Sequence, residues 1–346
     1  MSVEKLASAR ECFQAGQAER GLVLVKEVCR NADSADIARQ AFGLLQEQLA
    51  AVPARNLAST LAPLGEDPRI SVIVPTKNRE RMLGSALDSL ASQSWGNWEC
   101  ILVNDGGTAV EPIVAASRAR ARIRLVSLAE SLGQAAARNR AIDEASGQIL
   151  CFLDDDDRFG PGHLAAIAKA MAGTSHAACY TRFETVLERV DESGRHELGR
   201  RLAYAPPRFS HPLLMVRSYM APVSWGLRIE CIHQAGGFDE VIPFMEDWEL
   251  LLRLTQHWDM VQVESVAAEY RLREMQVEDS VSKRGKDPDA TMRRIYARNS
   301  DGGDDLIAFA RKLYLWLVVS GNFSVAASPR QASPHCLPNG YKAPAR

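Results

Sequence analysis

The chain reads as an α/β protein built on a doubly wound, mostly parallel sheet, with flanking helices and a helical appendage ahead of it. Three observations predict this fold. Short β-branched runs alternate with amphipathic stretches four times between residues 69 and 153, the pattern that crossover-connected parallel strands require. Three of those runs end in polar residues, at Thr76 and Asn78, at Asp105 and at Asp154 to Asp157. Open α/β sheets hold their ligands at the C-terminal ends of strands, so one edge of one sheet carries every polar terminus.

The elements follow in order. Residues 1–65 read as two or three helices rich in Ala, Leu, Glu and Gln, with Ile37, Ala41, Leu44 and Leu45 in one stripe and Pro53 as the stop. A degenerate helical repeat is the other reading of this stretch, but no second copy is visible. Pro63, Gly65 and Pro68 mark the linker. The domain at 66–280 opens with the strand Arg69 to Pro75 and the polar turn Thr76-Lys77-Asn78-Arg79. A helix with Met82, Leu83, Ala86, Leu87 and Leu90 on one face comes next. A second strand, Glu99 to Val103, ends in Asn104-Asp105-Gly106-Gly107-Thr108, a turn sequence with an acidic mouth. A third, Ile123 to Ser127, precedes a helix opened by Leu132-Gly133-Gln134. The fourth, Gln148 to Phe152, leads into the acidic run. Residues 281–320 are read as a connector and a helix, with Leu306, Phe309, Leu313 and Trp316 at helical spacing. Packing on the domain is the favoured use of that stripe, over rest on a membrane surface. Residues 321–346, with four prolines, read as a disordered tail.

Leu153-Asp154-Asp155-Asp156-Asp157 is the most informative segment. Four adjacent carboxylates at the exit of an apolar strand repel one another unless solvent or a cation balances them, and hard divalent cations prefer oxygen ligands. A solvated turn capping the helix near Pro161 is the bland reading, and the strand-end position outweighs it. The net charge of −2 argues against a nucleic-acid partner. Seven cysteines show no C-x-x-C pair, and Cys100 and Cys151 lie inside apolar strands, as inert core thiols of a reducing compartment do. No signal-peptide pattern opens the sequence, and no run reaches the ~18 apolar residues of a membrane span. The expectation is a cytoplasmic protein without a transmembrane span, with peripheral contact at the inner membrane face as a further option.

Six segments together resemble family 2 glycosyltransferases of the GT-A fold. They are Ser71 to Asn78, Val103 to Thr108, Ala137-Arg138-Asn139, Phe152 to Asp157, Gly236 to Glu240 and Glu246 to Leu250, in the family's order. The resemblance covers about residues 68 to 275 and implies inverting, metal-dependent transfer from a nucleotide-sugar, UDP-linked by preference, to a hydroxyl of a saccharide or lipid-linked acceptor in polysaccharide biosynthesis. It implies that Pro75, Thr76 and Asn78 line the nucleoside pocket and that Asp105 accepts from the uracil N–H. Asp154 and Asp155 approach the ribose and diphosphate, Asp156 holds Mn²⁺ or Mg²⁺, and Arg138 reaches a phosphate or forms an internal ion pair with Asp143 or Glu144. Asp157 faces solvent or caps the next helix. Gly237, Phe238, Glu246 and Trp248 meet the acceptor, and Asp247 is the general base; for Trp248 and Trp225, stacking on a sugar competes with core packing, the commoner use of such aromatic residues. Tyr270-Arg271 ends a late strand, and the Glu278 to Ser282 loop closes over the diphosphate. Lys77 departs from the family, which often has an aromatic residue there.

Other classes fit less well. A haloacid-dehalogenase-type phosphatase needs an aspartate where Val103 stands, and a sugar nucleotidyltransferase needs a glycine-rich first loop that Pro75 to Arg79 lacks. A non-catalytic nucleotide-sugar binding protein of the same fold is the alternative, and intact Asp154, Asp156 and Asp247 speak against it.

Overall fold

A computed structural model describes residues 2–320 apart from 31–33, 54, 56, 58–60, 192–193, 204, 206–207 and 274–286. The Glu278 to Ser282 loop and the tail at 321–346 lie outside the described residues. Three helices come first: α1 (Ser2–Gln14), α2 (Ala18–Arg30) and α3 (Ala35–Ala51). Ser34 caps α3 by accepting from the Ile37 amide, one of the donors a helix start leaves unpaired.

The sheet begins with β1 (Ile70–Thr76), α4 (Glu80–Ala91), β2 (Trp98–Asn104), α5 (Glu111–Ala116), β3 (Ile123–Ser127), α6 (Gln134–Asp143) and β4 (Ile149–Phe152). Their strands lie parallel in the order β3-β2-β1-β4. Every residue of β1, β2 and β4 is buried, because helices cover both faces, and this is why those strands read as continuous apolar runs. Ile70, Val72 and Val74 pack with Leu83, Leu87 and Leu90 of α4, whereas Ile73 joins Ala137 and Ala141 of α6 on the other face. Each fully buried Val, Leu or Ile of this kind contributes about 1.5–3 kcal/mol.

The chain continues through β5 (Arg158–Phe159), α7 (His163–Met171), β6 (Ala178–Asp191), β7 (Gly194–Leu202), α8 (His211–Val216), β8 (Trp225–Arg228), α9 (Ile229–Ala235), α10 (Glu246–His257), β9 (Met260–Arg273), α11 (Pro288–Arg298) and α12 (Asp305–Val319). These strands extend the sheet as β4-β8-β6-β9-β5, with β7 hanging from β6. The pairs β4–β8, β6–β8, β6–β7 and β5–β9 are antiparallel. The fold is therefore a parallel half joined to a mixed half, wrapped by helices.

Helix α8 ties the halves together. Its last carbonyls have no intrahelical partner, the usual state of a helix end. The Trp248 indole on α10 donates to the Leu214 carbonyl (2.8 Å), Arg311 on α12 to that of Met215 (2.9 Å), and the Tyr296 hydroxyl on α11 to that of Val216 (2.6 Å). At the other end Ser210 donates to the Leu49 carbonyl of α3 (2.9 Å). Helix α12 packs onto α8 and α3, but its buried face carries Ile307, Ala310, Leu313, Tyr314 and Leu317 rather than the whole stripe read from the sequence, since Trp316 is exposed. Phe42 and Tyr314 stack there with ring centroids 5.1 Å apart. No helix among the described residues is long and apolar enough to cross a membrane.

Candidate active site

The acidic run leaves β4 beside the end of β1, and its carboxylates meet separate sets of partners except that Asp155 and Asp156 share Arg79. Asp154 accepts from Arg138 (2.8 Å) and Gln134 (3.3 Å). Asp155 is buried, accepting from the Thr76 hydroxyl (2.7 Å) and from Arg79 (2.9 Å). Burial and then the neighbouring Asp156 push its carboxyl up to about 6, against the pull of Arg79 and Thr76. Asp156 pairs through Oδ2 with Arg79 (2.9 Å) and, more loosely, Arg273 (3.7 Å), while its carbonyl accepts from Arg195 (2.6 Å). Asp156 Oδ1 has no partner among the described residues, and the side chain is 18% exposed. Asp157 is buried and accepts from the Arg271 amide of β9 (2.7 Å). Glu188, fully buried on β6, fixes Arg195 (2.6 Å) and Arg271 (2.9 Å) in place.

A second group forms at the end of β2. Asn104 binds its own turn through the Gly107 amide (3.0 Å) and Thr108 carbonyl (2.8 Å), and Asn78 Oδ1 accepts from the Thr108 amide (2.9 Å). Asn78 holds φ +52 to do so, a conformation asparagine tolerates better than most residues. Asp105, also buried, receives Ser131 Oγ, Leu132 N and Gly133 N from the β3–α6 loop.

The third group sits at the N-terminus of α10. Met245 takes φ +64 just ahead of it, a backbone state unusual for a non-glycine residue and typical of strained functional turns. Glu246 and Asp247 occupy the first turn, where the helix dipole favours negative charge. Asp247 Oδ1 accepts from the Trp248 amide (2.8 Å). Burial, then Glu246, push the Asp247 carboxyl up to about 7, although Arg138 opposes them. Arg138 joins this group to the first: its guanidinium, 1% exposed, bonds Glu246 (2.8 Å) and Asp154 (2.8 Å) at once and lies over the Phe238 ring. The Tyr270 phenol lies in the same negative field, held high by burial and then by Asp157, Asp156 and Asp247.

The sequence profile of the family described as "Glycosyl transferase family 2" matches residues 71–235. The uncharacterized glycosyltransferase YwdF of Bacillus subtilis is 30% identical over 203 residues, 58% of this chain and 74% of that one. This chain belongs to glycosyl transferase family 2. The β-1,3-glucosyltransferase WfgD of Escherichia coli, named for UDP-Glc and an α-D-GlcNAc-diphosphoundecaprenol acceptor, is 27% identical over 35% of this chain and 48% of its own. TarS of S. aureus, solved with UDP-GlcNAc, superposes with a TM-score of 0.53 at 20% identity over 73% of each chain. The mannosyltransferase PcManGT of Pyrobaculum calidifontis, solved with GDP-Man and Mn²⁺, gives 0.53 at 17% identity over 83% of this chain and 86% of that one. Those two likenesses show the GT-A fold. Family membership makes the chain a glycosyltransferase, and the non-catalytic binder falls away.

In this glycosyltransferase several side chains lie elsewhere than the sequence reading put them. Arg138 is not turned to a phosphate, because both arms of its fork are engaged inside the protein; its partners are Asp154 and Glu246 rather than Asp143 or Glu144. Asp157 does not face solvent, since β9 covers it. Trp248 is buried with its indole nitrogen spent on α8, and Trp225 is wholly buried, so neither offers a face to a sugar. Phe238 is core, edge-on to Phe152. Its backbone is what meets α6, through paired bonds to the Asn139 amide at 2.8 and 2.9 Å. Gly237 holds φ +69, and a Cβ there would stand 2.8 Å from Asn139 Oδ1, so glycine is required. Pro75 and Thr76 are buried at the end of β1, the latter as a partner of Asp155. The sequence reading missed Arg79, Arg195 and Arg273 around the acidic run. Arg79 adjoins a matched segment and was within reach; Arg195 and Arg273 come from distant strands and carry no local signal.

Proposed function

We propose that this glycosyltransferase moves a sugar from a UDP-linked donor to a hydroxyl of a saccharide or lipid-linked acceptor, with inversion at the anomeric carbon and Asp247 as general base. One observation carries the reading. A partly buried carboxyl with its titration moved to about 7 sits at a helix N-terminus and is coupled, through Glu246 and Arg138, to the acidic strand end. A base titrating near neutrality is ionised in use and basic enough to take a hydroxyl proton. An acceptor oxygen within hydrogen-bond reach of Asp247 gives up its proton as it attacks the anomeric carbon, and the diphosphate leaves from the opposite side in the same displacement. The relatives named for UDP-Glc with a diphosphoundecaprenol acceptor and for UDP-GlcNAc support this donor and acceptor class.

The residues present fit a divalent cation of the Mg²⁺ or Mn²⁺ kind. The available donors are all oxygens, and Asp156 Oδ1 has no partner among the described residues on a side chain that is 18% exposed. No group of three or more His, Cys, Asp or Glu is placed to enclose a metal among the described residues. Ions of this kind take one or two carboxylates and complete their shell with phosphate oxygens and water. Asp156, with Asp154 nearby, would hold it. When bound, such an ion neutralises charge on the departing diphosphate. Arg79 and Arg273 hold Asp156 in position, and Arg195 fixes its backbone. The polysaccharide-biosynthetic role and a cytoplasmic site of action belong to the same proposal.

The test is Asp247→Asn together with the configuration of the product. The variant is expected to lose on the order of 10²-fold or more in kcat with little change in UDP binding, and NMR of the wild-type product is expected to show the anomeric configuration inverted. A near-wild-type turnover, or a retained configuration, defeats the mechanism.

A further inference from the structure

The family resemblance sets Asp105 against the nucleobase, and in the structure its acceptor capacity is nearly used up. Ser131 Oγ (2.7 Å) and Gly133 N (3.1 Å) both donate to Oδ2, and Leu132 N donates to Oδ1 (2.7 Å). A carboxylate offers about four lone-pair sites, two on each oxygen. Among the described residues these three donors are its only partners, so Oδ2 is filled and Oδ1 keeps a single site. The contact is built in: Gly106 holds φ +63, and a Cβ there would stand 2.4 Å from the Glu130 carbonyl carbon and the Ser131 nitrogen. The β3–α6 loop is therefore pressed onto the β2 turn, and only a glycine allows that approach.

We propose that this saturation sets the base selectivity of the donor site, with Ser131 as the specificity-determining residue: Asp105 accepts one N–H, which admits an imide-edged base of the uracil kind and rejects guanine. The inference rests on the nucleotide-sugar reading above and deepens it. Guanine presents two adjacent donors, N1–H and the 2-amino group, which pair side by side with both oxygens of a carboxylate. Here the second oxygen has no site left, so one guanine donor would be buried unpaired. Uracil presents one N–H between two carbonyls and needs one acceptor. A free second oxygen would repel the adjacent carbonyl, and Ser131 and Gly133 turn its lone pairs to their own hydrogens. The selectivity thus comes from a hydroxyl that need not touch the base.

Calorimetric titration with UDP and GDP in the presence of Mn²⁺ tests this. The wild-type chain is expected to bind UDP at least roughly tenfold more tightly than GDP, the order of effect of one buried unpaired donor. Ser131→Ala opens a site on Oδ2 and is expected to cut that ratio by roughly tenfold, mainly by tightening GDP. Ser131→Thr keeps the hydroxyl and is expected to keep the ratio, which separates selectivity from a general effect on the loop. Ser131 lies on an exposed loop, so all three chains fold. Equal affinity for UDP and GDP in the wild type, or an unchanged ratio in Ser131→Ala, overturns the proposal while leaving the glycosyltransferase reading intact. Failure of both nucleotides to bind at millimolar concentration overturns the donor reading and this inference with it.

Discussion

Asp247 sets stability against function. Its carboxyl is pushed up to about 7 in the folded chain, whereas an unfolded aspartate titrates near ~3.9. Between those values the folded state binds more protons than the unfolded one, so this residue's contribution to stability falls as pH rises, and the loss is complete above about 7. Asparagine has no charge to bury. Measured by urea unfolding, Asp247→Asn is therefore expected to gain on the wild type by about 2–3 kcal/mol between pH 5 and pH 8. With Asp247 as the general base proposed above, the same titration acts on catalysis in the opposite sense: the base acts when ionised, so wild-type kcat/KM is expected to climb with pH through about 7. A stability difference that does not change with pH would show that Asp247 titrates normally. This residue was legible in the sequence because Glu246-Asp247-Trp248 is a contiguous signature. Arg79 and Arg195 act on the acidic run from 77 and 39 residues away along the chain, and such pairings leave no periodic trace.

At the scale of elements, β1 to β4 were readable because two faces of covering helices force unbroken apolar runs with polar ends. The mixed half was not. Of β7, Gly194 to Leu202, every residue is at least partly exposed, so nothing apolar marks it, and β6 changes partners along its length, from β8 at Ala178–Tyr180 to β7 at Glu184–Asp191. The link that neither half reveals alone is Arg138. It stands on α6 and clamps the end of β4 to the start of α10 through two carboxylates, so it holds those two ends in register. Removing one partner of a buried pair leaves uncompensated charge, which costs about 3–5 kcal/mol. Arg138→Leu is expected to lose that much in denaturant unfolding, and Arg138→Lys to recover only part of it, because an ammonium cannot span both carboxylates as the planar fork does. Full recovery by lysine would mean that charge alone, without the fork, is what α6 supplies.

For the molecule as a whole, the decisive contacts are those that make the helical appendage part of the enzyme. The sequence suggested a separate segment at 1–65, yet α3 packs against α12 from the far end of the described chain, and both rest on α8. Four helices from four parts of the chain satisfy or cover α8, and two of them, α10 and α11, also meet edge-on through Trp248 and Tyr296. A loss at α3 should consequently be felt at the sheet. Phe42 is fully buried against Tyr314, and Phe42→Ala is expected to cost about 3–5 kcal/mol, the range for truncating a buried aromatic side chain. Because the appendage and the sheet share one apolar cluster, that loss should appear as a single earlier transition. Helix signal by circular dichroism and tryptophan fluorescence, which reports mostly on the sheet domain, should fall together in urea. Early loss of helix signal with the fluorescence transition unmoved would show instead that α1 to α3 fold as an independent unit, and that α8 is held by α10, α11 and α12 alone.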